Sequence, residues 1–142
     1  MTRPLYETAE HRKGEEQTLD RIMMHTNAHA IKLSIRDHLD YAMLNNGQIV
    51  ALIEIKNRSI TRDTYATVMI EYKKAEHARQ ISFETGVPCY LFVQWTDALG
   101  FINFAEDFEL GVNGRKDRHA EDYGLVAYYP TESFKVIDDS SI

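Results

Sequence analysis

The chain is poor in the residues that cross-link or punctuate a fold. One cysteine among 142 residues, Cys89, excludes an internal disulfide and cannot alone build a thiolate metal site, in keeping with a reducing compartment. Set in an apolar run, it reads as core filler rather than as a nucleophile. Three prolines and seven glycines leave no linker or low-complexity tract, and no repeat is visible, so 1–142 reads as one domain. Long hydrophobic runs are missing too. The longest, Val87 to Val93, falls far short of the roughly 18–20 residues of a membrane-spanning helix, and the opening MTRPLYETAEHRKGEE lacks the apolar core of a secretory signal.

Positive charge is also scarce: 16 Lys and Arg face 22 Asp and Glu, a net charge of −6 that by itself counts against a polyanionic partner. The distribution reverses that impression. Lys56, Arg58, Arg62, Lys73, Lys74 and Arg79 outnumber Asp63, Glu71 and Glu76 between Lys56 and Gln80, a local balance of +3 that leaves −9 elsewhere. Segregated charge of this kind can present a phosphate-attracting face on an acidic protein.

With 44% hydrophobic residues the chain can bury a core. Leu19, Ile22, Met23 and Thr26 recur at helical spacing within Thr8–Asn27, predicting a first helix. Short segments of strand character follow at Ala30–Arg36 and Leu39–Leu44, then the turn signal Asn45-Asn46-Gly47 and the apolar, β-branched run Gln48–Ile55, which reads as a strand covered on both faces. Tyr65, Val68, Met69, Tyr72, Ala75 and Ala78 predict a second helix over Thr64–Thr85, stopped by Gly86 and Pro88. Strands are expected at Cys89–Trp95, Leu99–Phe104, Leu125–Tyr129 and Phe134–Ile137, with a polar loop from Gly111 to Tyr123. The order predicts an α/β fold with a mixed central β-sheet flanked by helices.

The central strand ends Glu54-Ile55-Lys56. Side chains two apart on a strand share a face, so the carboxylate and the ammonium project together. If the preceding turn uses three residues, Asn45 to Gly47, Leu44 pairs with Gln48 and Asp40 falls opposite Leu52, diagonal to Glu54 and on its face. A two-residue loop would send Asp40 to the other face. Two carboxylates beside a lysine form a site for a hard divalent cation next to a fixed positive charge, which suits phosphodiester hydrolysis.

An Asp, a spacer over a hairpin and then (D/E)-x-K resembles the signature of the PD-(D/E)XK nuclease superfamily: here Asp40, thirteen residues, then Glu54-Ile55-Lys56. The surrounding LDYAMLNNGQIVALIEIKNR is similar to archaeal Holliday-junction resolvases and small phage nucleases. A second E-x-K, Glu71-Tyr72-Lys73, falls in the predicted second helix, where residues two apart diverge by about 200°. The residue before Asp40 is Leu39 where the signature's name has Pro. The resemblance implies an α-β-β-β-α-β restriction-endonuclease-like core and a metal-dependent DNA endonuclease. Asp40, Glu54 and the carbonyl of Ile55 would hold Mg²⁺ or Mn²⁺, and Lys56 would orient the attacking water. Such nucleases often carry a helix-one glutamate with apolar residues at +3 and +7; Glu16, with Leu19 and Met23, fits that spacing, with Glu15 beside it.

Asn57, Arg58 and Arg62 directly follow Lys56 and are placed to meet a nucleic-acid backbone. Lys73, His77 and Gln80 share a face of the second helix, from which Lys73 or Gln80 could reach phosphate; a solvated helix face gives the same pattern. Arg115, Lys116 and Arg118 could form a basic arm or a merely polar loop. His25 and His29 are four apart but have no evident third nitrogen ligand, so zinc is not implied. Trp95, Tyr128 and Tyr129 read as packing rather than as a base-stacking platform. The expected setting is cytoplasmic, the host's if the source is viral. A homodimer is expected because cutting a duplex needs two sites. The rival reading keeps the nuclease fold as an inactive nucleic-acid-binding or protein-interaction module, against which stands the presence of Asp40, Glu54 and Lys56 together.

Overall fold

The computed structural model describes residues 9–34, 39–113 and 124–137, with the side chains of 9–13 left aside. The helix α1 (Ala9–Thr26) precedes β1 (His29–Lys32), β2 (Tyr41–Asn45), β3 (Gln48–Asn57) and β4 (Thr67–Glu71). After α2 (Tyr72–Thr85) come β5 (Cys89–Gln94), β6 (Leu99–Asn103), β7 (Glu109–Asn113), β8 (Gly124–Pro130) and β9 (Lys135–Ile137). Six strands form a mixed sheet in the order β1-β2-β3-β5-β6-β9, in which β3 and β5 run parallel. Strands β4, β8 and β7 form a separate antiparallel sheet. The expected α/β class with a mixed central sheet and two helices is what the chain adopts. No helix among the described residues is long and apolar enough to cross a membrane.

Alternation along β3 and β5 builds two cores. Ala51, Ile53, Ile55 and Phe92 pack with Tyr41 and Met43 beneath Leu19 and Ile22 of α1. On the other face Cys89, Leu91, Val93 and Trp95 pack with Ala75 and Ala78 of α2 and with Val68, Ile70, Ala127 and Tyr129 of the small sheet. Burial on both faces explains the nearly continuous apolar runs of β3 and β5. Cys89 is fully buried, and burial pushes its thiol up to about 11, consistent with core filler. Trp95 and Tyr129 are buried as expected, whereas Tyr128 is only half-buried.

Three expectations need correction. The second helix starts at Tyr72, not Thr64, because Thr67–Glu71 alternates exposed and buried and pairs with β8. Tyr65, Val68 and Met69 matched a helical spacing by chance, while Val68 and Ile70 carry the strand period. Glu71-Tyr72-Lys73 consequently straddles a strand end and a helix start. The polar loop begins later than Gly111, since Glu109–Asn113 pairs with β8. Residues 114–123 lie outside the described residues, and Arg115, Lys116 and Arg118 with them.

The third correction concerns the hairpin that carries Asp40. Asn45 pairs with Gln48 across a two-residue turn, Asn46-Gly47, with φ of 53° and 77°, the positive values of a tight hairpin turn. That loop alone would turn Asp40 away from Glu54. A bulge then shifts the register, so that Leu44 faces Ile49 but Met43 faces Ala51, leaving Val50 as the extra residue. Ala42 therefore lies opposite Leu52 and Tyr41 opposite Ile53. Continuing that register by one pair sets Asp40 opposite Glu54, on the same face.

Candidate active site

Asp40 is held by the backbone on both sides: its N–H donates to the Ile53 carbonyl (2.9 Å) and its carbonyl accepts from Leu33 (2.8 Å). Its side chain turns to β3, where Oδ2 accepts the Ile55 N–H at 2.8 Å. Glu54 is only 6% exposed. Its Oε1 accepts a hydrogen bond from Nζ of Lys74 at 2.6 Å. Lys56, two residues further along the same face, is half-buried.

Burial dominates the electrostatics. It pushes Glu54 up to about 7, with help from the nearby Asp40 carboxylate and against the pull of Lys74. Asp40 is raised as well, by burial first, while the Ile55 N–H opposes the shift and Glu15 adds to it. Lys56 is lowered to about 8 by burial and then by Arg58 and Lys74. Burial works against the charge of Lys74 also, but the Glu54 carboxylate outweighs it and its pKa is raised. A buried and a half-buried acid with raised pKa values, beside a lysine with a lowered one, are a pattern found at reactive sites.

Among the helix-one glutamates, Glu15 belongs to this cluster. Its Oε2 accepts from Lys32 Nζ at 2.9 Å and from the Tyr41 hydroxyl at 2.8 Å, and its charge is felt at Asp40. Glu16 is exposed. The sheet-facing stripe of α1 is Thr18, Leu19 and Ile22; at about 100° per residue Glu15 lies on its centre line and Glu16 about 100° away. The +3 and +7 rule selected Glu16 because Met23 was counted where Ile22 is the buried residue.

On α2, Lys73 and Gln80 are exposed, and Gln80 donates to Glu84 Oε1 at 3.1 Å; the structure does not bring either into the cluster. Lys74, absent from the expected site, is brought in. With the helix starting at Tyr72, its sheet-facing stripe is Ala75 and Ala78, and Lys74 stands one turn before Ala78. That signal is readable only once β4 is separated from α2.

Asn57 Oδ1 accepts from the Thr18 hydroxyl at 2.9 Å. Arg58 continues the β3–β5 pairing through its N–H to the Gln94 carbonyl, and its guanidinium reaches the Met69 carbonyl only at 3.4 Å. Arg62 donates its backbone N–H to Asp97 Oδ1 and Nη2 to the Thr131 carbonyl, with the guanidinium 5.9 Å from the Trp95 ring centre.

Among the described residues no three His, Cys, Asp or Glu side chains stand close enough to enclose a metal ion unaided. The donor set nonetheless suits Mg²⁺ or Mn²⁺, which commonly bind one or two carboxylates and fill the remaining positions with water and phosphate oxygens. Asp40 and Glu54 are paired acids on one face, and the Ile55 carbonyl is a further oxygen on β3, next after Glu54.

The architecture has solved counterparts. The fold resembles that of Hjc, a Holliday junction resolvase of the archaeal hyperthermophile Archaeoglobus fulgidus, at a TM-score of 0.57 over 89% of both chains, with 13% sequence identity. No curated protein matches the chain. A family model described as "Phage putative PDDEXK endonuclease" matches residues 1–137. With nearly the whole length matched, the chain belongs to this phage PD-(D/E)XK endonuclease family.

Proposed function

We propose that the chain is a DNA endonuclease that depends on Mg²⁺ or Mn²⁺, with its chemistry at Asp40, Glu54 and Lys56. The observation that carries the proposal is the convergence of these residues at one end of β3, where Asp40 Oδ2 is tied to the Ile55 N–H and burial raises Glu54 to about 7. Asp40, Glu54 and the Ile55 carbonyl would hold the ion, with Glu15 rather than Glu16 the third carboxylate. When bound, a divalent cation makes water a better nucleophile near neutral pH and offsets charge on the scissile phosphate. The residues of the chain do the rest. Lys56, held partly out of water with its pKa lowered to about 8, orients the attacking water through Nζ and donates to the oxygen on which negative charge develops. Lys74 fixes Oε1 of Glu54 and so the orientation of that carboxylate. Asn57 and Arg58, next on the strand, meet the backbone of the substrate.

The test is cleavage of linear, branched and single-stranded DNA with Mg²⁺, Mn²⁺ or chelator, beside Lys56→Ala. Metal-dependent cleavage lost in that variant, with circular dichroism unchanged, is the expected result. Cleavage equal in Lys56→Ala and the parent refutes the assignment. Folded protein that binds DNA but never cuts supports an inactive binding module instead.

A further inference from the structure

Beyond Lys56 the strand leads to a second feature. Glu54, Lys56 and Arg58 are alternate residues, and the pairing to β5 continues through the Arg58 N–H, so Arg58 sits ~7 Å of strand beyond Lys56 and on its face. There it lines a cavity of about 280 Å³ between the end of β3 and the small sheet, together with Arg62, Tyr65, Met69 and Tyr128. The volume lies near the lower end of the ~300–1,000 Å³ typical of small-molecule sites, room for one base but not for a duplex.

The lining is selective. Among the described residues no acidic side chain contributes to it, although the protein carries a net charge of −6. Two guanidiniums contribute, and neither is used up by the protein. Among the described residues Arg58 has only its long contact with the Met69 carbonyl, and the buried Nε of Arg62 has no hydrogen-bond partner. A buried donor without a partner calls for an acceptor from elsewhere. Tyr65 stands 64% exposed, and Tyr128, expected to pack in a core, is a half-buried wall of the cavity. Cationic forks beside aromatic rings suit a ligand that is both anionic and planar.

Resting on the nuclease reading, we propose that this cavity is a nucleotide subsite. It takes one unpaired nucleotide adjoining the scissile phosphate, with its base against Tyr65 and Tyr128 and its phosphate between Arg58 and Arg62. A paired nucleotide cannot enter, so the subsite favours DNA with a bulged, flapped or unstacked position beside the cut. It gives a small domain a means of reading DNA structure without reading sequence.

The probe is a duplex with a single bulged 2-aminopurine, compared with the same duplex fully paired, both bound in Ca²⁺ by the parent, Tyr65→Ala and Arg62→Lys. Tyr65 is exposed, so its variant retains the fold. The expected result is a change in 2-aminopurine fluorescence on binding. Tyr65→Ala should weaken the bulged duplex about tenfold and the paired one less than twofold, as loss of one base-stacking partner does. Arg62→Lys should weaken the bulged duplex as well. Equal losses on both duplexes, or none on either, overturn the subsite. Metal-dependent cleavage that ignores Tyr65 and shows no preference for unpaired positions overturns the subsite alone. Failure to bind any DNA overturns both readings.

Discussion

Glu54→Gln should stabilise the metal-free protein at pH 8 while abolishing its response to metal. In the folded chain Glu54 titrates at about 7 against an ordinary 4.5, because the carboxylate is buried and Asp40 stands beside it. At ~1.4 kcal/mol per tenfold, that difference bounds the cost of folding with Glu54 ionised at about 3 kcal/mol. The sign follows from the raised value: the favourable contribution of the protonated form is fully present below 4.5 and is lost as pH rises through about 7. Glutamine mimics the protonated acid in shape, and the ion pair to Lys74 is missing from both, so the variant escapes the penalty. Urea unfolding in chelator at pH 8 should show a gain of about 1–3 kcal/mol, shrinking to within about 1 at pH 5, where the parent is protonated as well. Saturating Mg²⁺ or Mn²⁺ should cancel most or all of that gain, since a site filled at a hundred times its dissociation constant adds about 2.7 kcal/mol to the parent alone. A variant that loses as much stability at pH 8 as at pH 5, or more, would show that Glu54 serves the fold as half of an ion pair, and the reasoning would fail.

Four further outcomes follow from the geometry. Metal affinity measured by calorimetry should fall steeply below pH 7, with proton release on binding, because Glu54 is raised to about 7 and must lose its proton to become a ligand; pH-independent affinity would exclude it. Glu15→Gln should lower cleavage at least tenfold and shift its metal dependence, whereas Glu16→Gln, on the exposed face, should match the parent. Lys74→Met should lower metal-supported cleavage with little loss of stability in chelator at pH 5, where Glu54 is protonated and the ion pair is absent, as read by urea unfolding beside the cleavage rate. Gly47→Ala, at φ +77° with open space for the new methyl group, should cost about 1–2 kcal/mol from backbone strain alone and lower the melting temperature without changing cleavage at 25 °C.

The core of the fold was legible because β3 and β5 are buried on both faces, and such strands show themselves as uninterrupted apolar runs. The small sheet was not. Thr67–Glu71 is short, and Tyr65, Val68 and Met69 extend the helical spacing of Ala75 and Ala78 backwards without a break, so a strand and a helix merged into one expected element. That merger hid Lys74, because the face of a helix cannot be assigned before its start is known. Strand β7 carries Gly111 and Asn113 and reads as loop by composition; pairing with β8, a contact remote in sequence, makes it a strand. Asp40, Glu54 and Lys56 stood out as candidates from type and spacing, yet the register that brings Asp40 opposite Glu54 was not readable.

The site depends on that register more than on any one side chain. Asn46-Gly47 selects a two-residue turn, and the turn alone would place Asp40 on the α1 side of the sheet, away from Glu54. The bulge at Val50 adds one residue to β3 and turns Asp40 back before the hairpin ends. Two local features, each unfavourable to a naive pairing, together bring two carboxylates face to face, both with raised pKa values. Cores on both sides of the strand hold them there, Ile53 and Ile55 under α1 and Leu91 and Val93 under α2, so the repulsion cannot relax by a slip of the strand without turning every apolar residue of β3 to the wrong side. The acidity of the chain thus has a different meaning at this point from its meaning at the surface. Glu54 contributes less negative field while it holds its proton, and the positive charge of Lys56, Arg58 and Arg62 lies beyond it along the chain.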